Sequence, residues 1–383
     1  FRYKLEKENI KIDNIRGDLL TFGFFSNGMG SNQTAIKELN LNHKFNYSFE
    51  IDKFAQQTLS HNFNIEKQYG DLFTADARKL PQTDVLTAGF PCQSWSISGK
   101  RKGFDDRRGT IIFKLKELFL ELNSLNKAPR VIFLENVEGI TNHDKKVGTF
   151  DSIYAEKSFN KKIGHSMHVI ETEVFNPLSE YYDITWGIEN TLDYGIPHNR
   201  VRWFCILTLK TSKYTFSFEK LRMKRAPLTT CVNDYLDDSS DVEEKYFYTV
   251  NKMTKGEYKN SGNLIRIGEI ENVTFSQSKR VLSPEGAASC FLCGENSKYF
   301  IDNKVRFLTV SEKLKLQAFP KWFEFNPITS DSQRHKQLGN TMSVNIVKSI
   351  FSVIFDKENY KTPSIPSSFE VVNNTSYQLR EVA

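Results

Sequence analysis

The chain has 383 residues, 39% hydrophobic and 26% charged, so it is long enough for two domains and too apolar to be disordered. Its 52 basic residues outnumber its 46 acidic residues, a mild excess that suits a polyanionic partner without demonstrating one. Five sparse cysteines argue against a disulfide scaffold. With no membrane-length apolar run and a charged start unlike a signal peptide, we expect a cytoplasmic protein without a membrane partner.

Short apolar runs alternate with helical patterns over the first 210 residues. The runs predict buried strands at 19–25, 45–52, 84–90, 130–136 and 201–209. Helical patterns between them cover 31–40, 53–63 and 110–123. This alternation predicts an α/β fold with a doubly wound, mostly parallel sheet.

The pattern changes between about 211 and 305, where charged and small polar residues become frequent and apolar runs become short. We expect a second, smaller, irregular strand-and-loop domain there. Helices are predicted again at 308–319, where Thr309 and Glu312 have capping-box spacing, and at 341–355. The sequence predicts an N-terminal extension at 1–18, a first domain at 19–210 with 335–360, a second domain with a hinge at 211–334, and a tail at 361–383.

A glycine turn follows the first predicted strand. Gly28 and Gly30 open a helix, and Glu50 ends the next strand 20 residues after Gly30, as in a turn that binds a nucleoside cofactor through its ribose. Gln33 replaces the third glycine of that pattern, so ordinary turn glycines remain an alternative. Asp71, expected to end the third strand, is either an adenine ligand or a solvated loop acid.

Cys92 follows the third of these apolar strands, where open α/β sheets place ligands. Pro91 stiffens its approach, and the basic residues in 94–109 exceed the acidic ones by three. Nearby cations favour a thiolate. The pattern therefore predicts a reactive cysteine under a flexible basic lid, against the alternative of a core cysteine.

Two further positions carry charge at strand ends. Glu135 and Asn136 directly follow four apolar residues, where a carboxylate is costly unless it is paired or used. Arg200 and Arg202 flank Val201, so at strand spacing both side chains point to one face. The alternatives are a helix cap or salt bridge for Glu135 and surface salt bridges for the arginines.

Cys290 and Cys293 form a single C-x-x-C pair. A structural zinc site needs four ligands, and no second close pair is present. We therefore predict no metal and two partly buried thiols.

The sequence resembles the ordered motif set of the cytosine-C5 DNA methyltransferases, most closely the bacterial restriction–modification enzymes of the HhaI type. The motifs that carry the resemblance, within residues 19–355, are GFPCQSWSISGKRKGFDDRRGT, FLENVEGITNHD, DYGIPHNRVRWFCI, RFLTVSEKLKLQAFP and QLGNTMSVNIV. It implies a Rossmann-like fold dependent on S-adenosylmethionine, with 211–334 containing the target-recognition domain.

The resemblance also implies a mechanism. Cys92 is expected to add to carbon 6 of a flipped-out cytosine, which makes carbon 5 able to accept the methyl group. Glu135 is expected to hydrogen-bond or protonate ring N3, and Arg202 to stabilise charge near O2. Supporting residues of the pocket and lid are Asn136, Arg200 and Gln93.

Binding residues follow from the same resemblance. Glu50 would bind the cofactor ribose and Asp71 the adenine amino group. Further cofactor positions are Gly28, Gly30, Pro91 and Asn340. In the lid, DNA contacts are expected from Ser96, Lys100 and Arg101, while Gln277 would fill the gap left by the base or be an ordinary exposed glutamine.

Some positions depart from the family pattern. His198 stands where a glutamine is common, and Ser289-Cys290 replaces a Thr-Leu pair. An insertion is predicted within 151–180, and its Lys161 and Lys162 either contact DNA or are ordinary surface residues.

The expected partner is duplex DNA, with a possible restriction endonuclease acting separately, and the expected state is a monomer. Two alternatives are a tRNA cytosine-C5 methyltransferase and a non-catalytic DNA-binding regulator.

Overall fold

The computed structural model describes residues 18–91, 94–95, 102–159, 162–249, 253–254, 263–271, 273, 278–294 and 296–361. Within these residues, seven strands form the larger sheet, in the order β3-β2-β1-β4-β5-β9-β8. Strands β1 to β5 pair in parallel, whereas β9 is antiparallel to both β5 and β8. The strands are β1 Leu20–Phe25, β2 His43–Phe49, β3 Ile65–Tyr69, β4 Val85–Gly89, β5 Val131–Val137, β8 Tyr182–Asn190 and β9 Val201–Leu209.

Helices cover both faces of this sheet, which is why its central strands are apolar along their whole length. One face packs on α1 and α10, the other on α3 and α5. These helices, with α2 beside β2, are α1 Ser31–Glu38, α2 Lys53–Asn62, α3 Ile111–Ser124, α4 Gly139–Asn142, α5 His165–Ile170 and α10 Val344–Ile354. The predicted doubly wound, mostly parallel α/β fold is confirmed.

The segment between β5 and β8 contains the predicted insertion. It forms a short hairpin, β6 Thr149–Asp151 and β7 Lys162–Gly164, followed by α5, a π-helical turn over Glu171–Phe175 and α6 Asn176–Leu178. Lys161 lies outside the described residues, and the side chain of Lys162 forms an ion pair with Asp151 at 2.9 Å.

A second sheet lies in the chain after β9. Its order is β10-β11-β12-β13-β14, and all neighbouring strands in it are antiparallel except the β12–β13 pair. This confirms the smaller strand-and-loop unit. The strands are β10 Met253–Thr254, β11 Arg266–Ile270, β12 Arg280–Leu282, β13 Lys298–Ile301 and β14 Lys304–Arg306, and α7 Phe218–Arg222 precedes them.

The chain returns to the larger sheet through α8 Val310–Lys315 and α9 Asp331–Asn340. The capping box predicted at Thr309 and Glu312 is present, with the Glu312 amide donating to Thr309 at 3.1 Å and the Thr309 amide donating to Glu312 at 2.7 Å. The helix predicted over 308–319 is shorter than expected, because Ala318 adopts a left-handed φ of 58° that ends the helical path. No helix among the described residues is long and apolar enough to cross a membrane.

Candidate functional site

The site lies at the carboxyl edge of the larger sheet, between β1 and β4. The order in which the chain adds strands reverses there. From β1 the chain first adds β2 and β3 on one side, and then adds β4 and β5 on the other side. Open α/β sheets bind ligands in the crevice at such a switch point. The glycine turn leaves β1 at this edge, and Pro91 leaves β4 beside it.

The glycine turn depends on backbone conformations that suit glycine. Gly28 and Gly30 have φ values of 59° and 101°. A side chain at Gly30 would collide with the Phe63 ring at 2.5 Å, whereas Gly28 faces open space. Gly30 is therefore required for packing, and Gly28 leaves room beside the turn.

Glu50 is fixed next to this turn by two backbone amides. Gly28 donates to one carboxylate oxygen at 2.7 Å and Asp52 donates to the other at 2.9 Å. Burial raises the pKa of Glu50, and these amides partly oppose that effect. The neighbouring Ile51 side chain is 75% exposed, so it presents an apolar surface beside the carboxylate.

Helix α9 is attached to the same corner. Lys336 contacts Asp52 at 2.7 Å, and Asn340 lies one turn further along α9. The exposed Asn340 accepts a hydrogen bond from the Cys293 thiol at 2.8 Å. The ion pair of Lys336 with Asp52 therefore places α9, which carries Asn340, beside the Glu50 turn.

Asp71 does not end β3, which stops at Tyr69. It caps the short 3-10 helix Leu72–Thr74, accepting a hydrogen bond from Phe73 at 2.9 Å. Arg107 lies 3.5 Å from its other oxygen and 4.4 Å from the Phe73 ring centroid. The prediction of a strand-end acid was wrong because the chain turns before Asp71, although its carboxylate remains accessible.

Glu135 forms the centre of the second half of the site. It pairs in register with Gly89 of β4, and a side chain at Gly89 would lie 3.4 Å from its Oε2. Arg202 Nε lies 3.2 Å from Glu135 Oε1, with the two side chains 12% and 14% exposed. Burial raises the pKa of Glu135 more than Arg202 and Arg200 lower it.

Arg200 and Arg202 share one face, as predicted. Their guanidinium nitrogens lie 3.4 Å and 3.6 Å from the Cys290 sulfur. Arg200 also donates to the carbonyls of Gly339 at 3.2 Å and Thr341 at 2.5 Å. It thereby joins the edge of the sheet to the segment between α9 and α10.

Cys290 is the residue of this cluster that the sequence interpretation missed. The sequence indicates it only as half of a C-x-x-C pair and as part of the Ser289-Cys290 departure, without a link to Arg200 90 residues away. The one feature of the sequence that could have pointed to Cys290 is that Ser289-Cys290 replaces the Thr-Leu pair of the family pattern. No group of three metal-binding side chains occurs among the residues that the structure describes.

Buried bases surround the arginines. His198 is fully buried and stacks on Phe291 at 4.2 Å, and burial with the nearby arginines lowers its pKa well below the usual range. Lys313 Nζ lies 3.2 Å from His335 Nδ1. Burial lowers the pKa of Lys313 to about 7 and that of His335 to about 3, so burial disfavours the charged form of both groups.

Asn136 supports the exit of β4. Its amide donates to the Phe90 carbonyl at 3.0 Å, and its own oxygen accepts from Val137 at 2.8 Å. Several predicted site residues lie outside the described part of the chain: Cys92, Gln93, Ser96, Lys100, Arg101 and Gln277.

Comparisons with known proteins identify the family of the chain. A family model for C-5 cytosine-specific DNA methylases matches residues 22–356. The chain is 30% identical over 329 residues to the Type II methyltransferase M.HhaI of Haemophilus parahaemolyticus, covering 82% of this chain and 88% of that protein. It is 32% identical over 321 residues to M.NgoBI of Neisseria gonorrhoeae, with the same coverage.

Solved structures share the fold. The Dnmt2 methyltransferase of S. pombe superimposes with a TM-score of 0.64 at 17% identity, over 89% of this chain and 99% of that one. The Entamoeba histolytica methyltransferase EhMeth gives a TM-score of 0.63 at 19% identity, with the same coverage.

Proposed function

Because this chain belongs to the C-5 cytosine-specific DNA methylase family, and is thus a cytosine-5 methyltransferase, we propose that it methylates a flipped-out cytosine at a specific duplex DNA sequence, with S-adenosylmethionine as donor. The observation that carries the proposal is the Glu135–Arg202 pair at the edge where β4 exits. Cys92 follows that exit by three residues, so a pyrimidine bound here would meet a thiol, an acid and a guanidinium together.

Cys92 is the proposed nucleophile. Its thiolate would form a bond to carbon 6, and the ring electrons displaced to carbon 5 would attack the methyl group. A base would then remove the carbon 5 proton, and the thiolate would leave as the double bond reforms. Because stacking hides both carbons in a duplex, the cytosine must leave the helix first.

Glu135 is the proposed acid. Burial raises its pKa, which favours the protonated carboxyl that can donate to ring N3 and make the ring a better acceptor for the thiolate. Arg202, 3.2 Å from that carboxyl, is suited to stabilise charge that develops on the base O2. Arg200, held by two backbone carbonyls, supports its position.

The crevice beside Glu50 suits S-adenosylmethionine, which supplies an electrophilic methyl group when bound. Both Glu50 oxygens are oriented by backbone amides and retain acceptor capacity for ribose hydroxyls. The exposed Ile51 side chain would cover one adenine face, and Asp71 would accept from the adenine amino group. Gly28 leaves space for the cofactor, while Pro91 and Asn340 border it.

We assign residues 19–210 and 335–360 to the catalytic domain and 211–334 to the target-recognition domain with its hinge. The second sheet, within 253–306, supports this division. Ser96, Lys100, Arg101 and Gln277 are the proposed DNA contacts. Since the relatives are named Type II methyltransferases, we also propose a cytoplasmic monomer acting alongside a separate endonuclease.

Covalent trapping tests this function. The protein is incubated with S-adenosylmethionine and duplex DNA that carries 5-fluorocytosine, which has no carbon 5 proton to lose. We expect a protein–DNA adduct that survives denaturation, its loss in Cys92→Ser, and its retention in Cys231→Ser. Absence of an adduct from the unmodified protein would favour a non-catalytic regulator.

A competition assay separates DNA from RNA as substrate. Methyl incorporation is measured with equal amounts of duplex DNA and total tRNA, and we expect it in DNA. Bisulfite sequencing of the treated DNA would then give the target sequence. Incorporation confined to tRNA would overturn the proposed substrate.

A further inference from the structure

The Cys290 sulfur lies between the two arginines of the candidate site. From this geometry we propose that Cys290 is a positioning residue whose thiolate bridges Arg200 and Arg202 and holds Arg202 in place for catalysis. The proposal rests on the proposed function, because it assigns a role within that site. The inference goes beyond the proposed function, because it requires a negative charge supplied by the proposed target-recognition domain.

The backbone fixes the sulfur in this position. Ala288 donates to the Pro197 carbonyl at 2.7 Å, and the Ala288 carbonyl accepts from Asn199 at 2.7 Å. The next residue, Ser289, donates its amide to the Tyr299 hydroxyl at 3.2 Å. The loop that carries Cys290 is thus bonded directly to the segment that carries Arg200.

The charges at this edge of the sheet favour a negative group at the sulfur's position. Two guanidiniums lie at this edge, and Glu135, the carboxylate from β5, has a raised pKa that weakens it as a counter-ion. Among the described residues, His198 from the preceding loop and Lys313 from α8 also lie near the cluster, and both can only add positive charge. A negative charge on the sulfur would offset part of the charge of the two guanidiniums that contact it.

The arginines also favour the ionised form of the thiol. Burial by itself would raise the pKa of Cys290, but the charges and hydrogen bonds of Arg202 and Arg200 lower it below its usual value.

This arrangement gives each nitrogen of Arg202 a partner. Nε contacts Glu135 at 3.2 Å, Nη2 contacts Cys290 at 3.6 Å, and Nη1 donates to the Val201 carbonyl at 2.7 Å. Removing the sulfur's negative charge would leave a larger net positive charge beside Glu135. A stronger positive field at Glu135 would lower its pKa, so the acid would lose its proton at lower pH.

The first test is the pH–rate profile of single-turnover DNA methylation. For Cys290→Ser we expect a rate about tenfold lower and an alkaline limb shifted to lower pH, with unchanged affinity for S-adenosylmethionine. Cys290→Asp, which restores an anion, should recover the limb, and Cys231→Ser should match the unmodified protein. An unshifted limb in Cys290→Ser, or equal shifts in the Ser and Asp variants, would overturn the proposal.

The second test does not require activity, so it separates this proposal from the proposed function. In a Cys92→Ser background, iodoacetamide labelling of each remaining cysteine is followed by mass spectrometry across pH. The partly exposed Cys290 should titrate at lower pH than Cys231, whose pKa is raised, and Arg202→Gln should move the Cys290 titration upward. A Cys290 titration at or above that of Cys231 would overturn the proposal even in an active enzyme.

Discussion

Asn136 and Phe90 connect the two central strands of the sheet through a 3.0 Å hydrogen bond from a side-chain amide to a backbone carbonyl. Asn136 directly follows the proposed acid, and Phe90 lies two residues before the proposed nucleophile. The bond therefore links the positions of both groups within a buried region, where an unpaired carbonyl is costly.

Replacing Asn136 with alanine should slow methyl transfer about ten- to a hundredfold, because the nucleophile is no longer held in position. The affinity for S-adenosylmethionine, measured by calorimetry, should be unchanged. Asn46→Ala is a matched control, since Asn46 donates to the Gln82 carbonyl at 3.1 Å elsewhere in the sheet. Equal rate losses in the two variants would show a general folding effect instead.

The raised pKa of Glu135 predicts the alkaline side of the pH profile. Because the protonated form is the active one, methylation should fall as pH rises through that raised pKa. Glu135→Gln should be roughly a hundredfold slower and lack this limb, since its amide cannot ionise. A limb at the same pH in Glu135→Gln would mean that another group titrates.

Glu50→Ala should weaken S-adenosylmethionine binding about tenfold or more, because two hydrogen bonds to ribose are lost. Calorimetric titration measures this directly. Asp183→Asn serves as the control, because Asp183 is 55% exposed and forms only a surface ion pair with Lys361. Unchanged affinity in Glu50→Ala would place the cofactor elsewhere.

The buried pair between Arg306 and Glu312 should matter for stability rather than chemistry. Its side chains are 1% and 0% exposed, with two contacts at 2.9 Å and 2.7 Å. Glu312→Gln should cost about 3–5 kcal/mol of unfolding free energy, since it leaves a buried guanidinium without its counter-charge. Glu66→Gln, which breaks an exposed pair with Lys44, should cost less than about 1 kcal/mol in the same urea titration.

Lys313 should make stability depend on pH. Its folded-state pKa of about 7 lies below the ordinary value of 10.5, so between these values the unfolded chain binds a proton that the folded chain does not. Stability should therefore rise with pH across that window. Lys313→Met should raise the melting temperature more at pH 6 than at pH 9, whereas the exposed Lys315→Met should show no such difference.

Much of the larger sheet could be predicted from the sequence, because its central strands are continuous apolar runs flanked by amphipathic helices. The predicted runs at 84–90 and 130–136 correspond to β4 and β5. The length of helix α8 was overestimated, because an apolar pattern does not reveal the left-handed conformation of Ala318. The end of β3 was predicted too late, at Asp71, because backbone pairing sets where a strand ends and the sequence does not show that pairing.

The site was predictable where it depends on spacing along the chain. The alternation of Arg200 and Arg202 correctly placed both guanidiniums on one face. Cys290 was not predictable in this way, because its contact with Arg200 depends on how the segment after β9 folds back. The Asn136–Phe90 bond likewise joins two strands, and a single sequence does not specify which side chain caps which carbonyl.

The reversed direction of β9 places the beginning of one strand at the end of its neighbours, and this makes the site sensitive to chain length. Deleting one residue of β9 just after Arg202 would move Arg200 and Arg202 together to the opposite face relative to the rest of the strand. A single-residue insertion at the same place would have the same effect, and it would abolish activity even if the fold were kept. In homologous chains, differences in length should therefore fall in the loop before β9, while the spacing between the two arginines is kept.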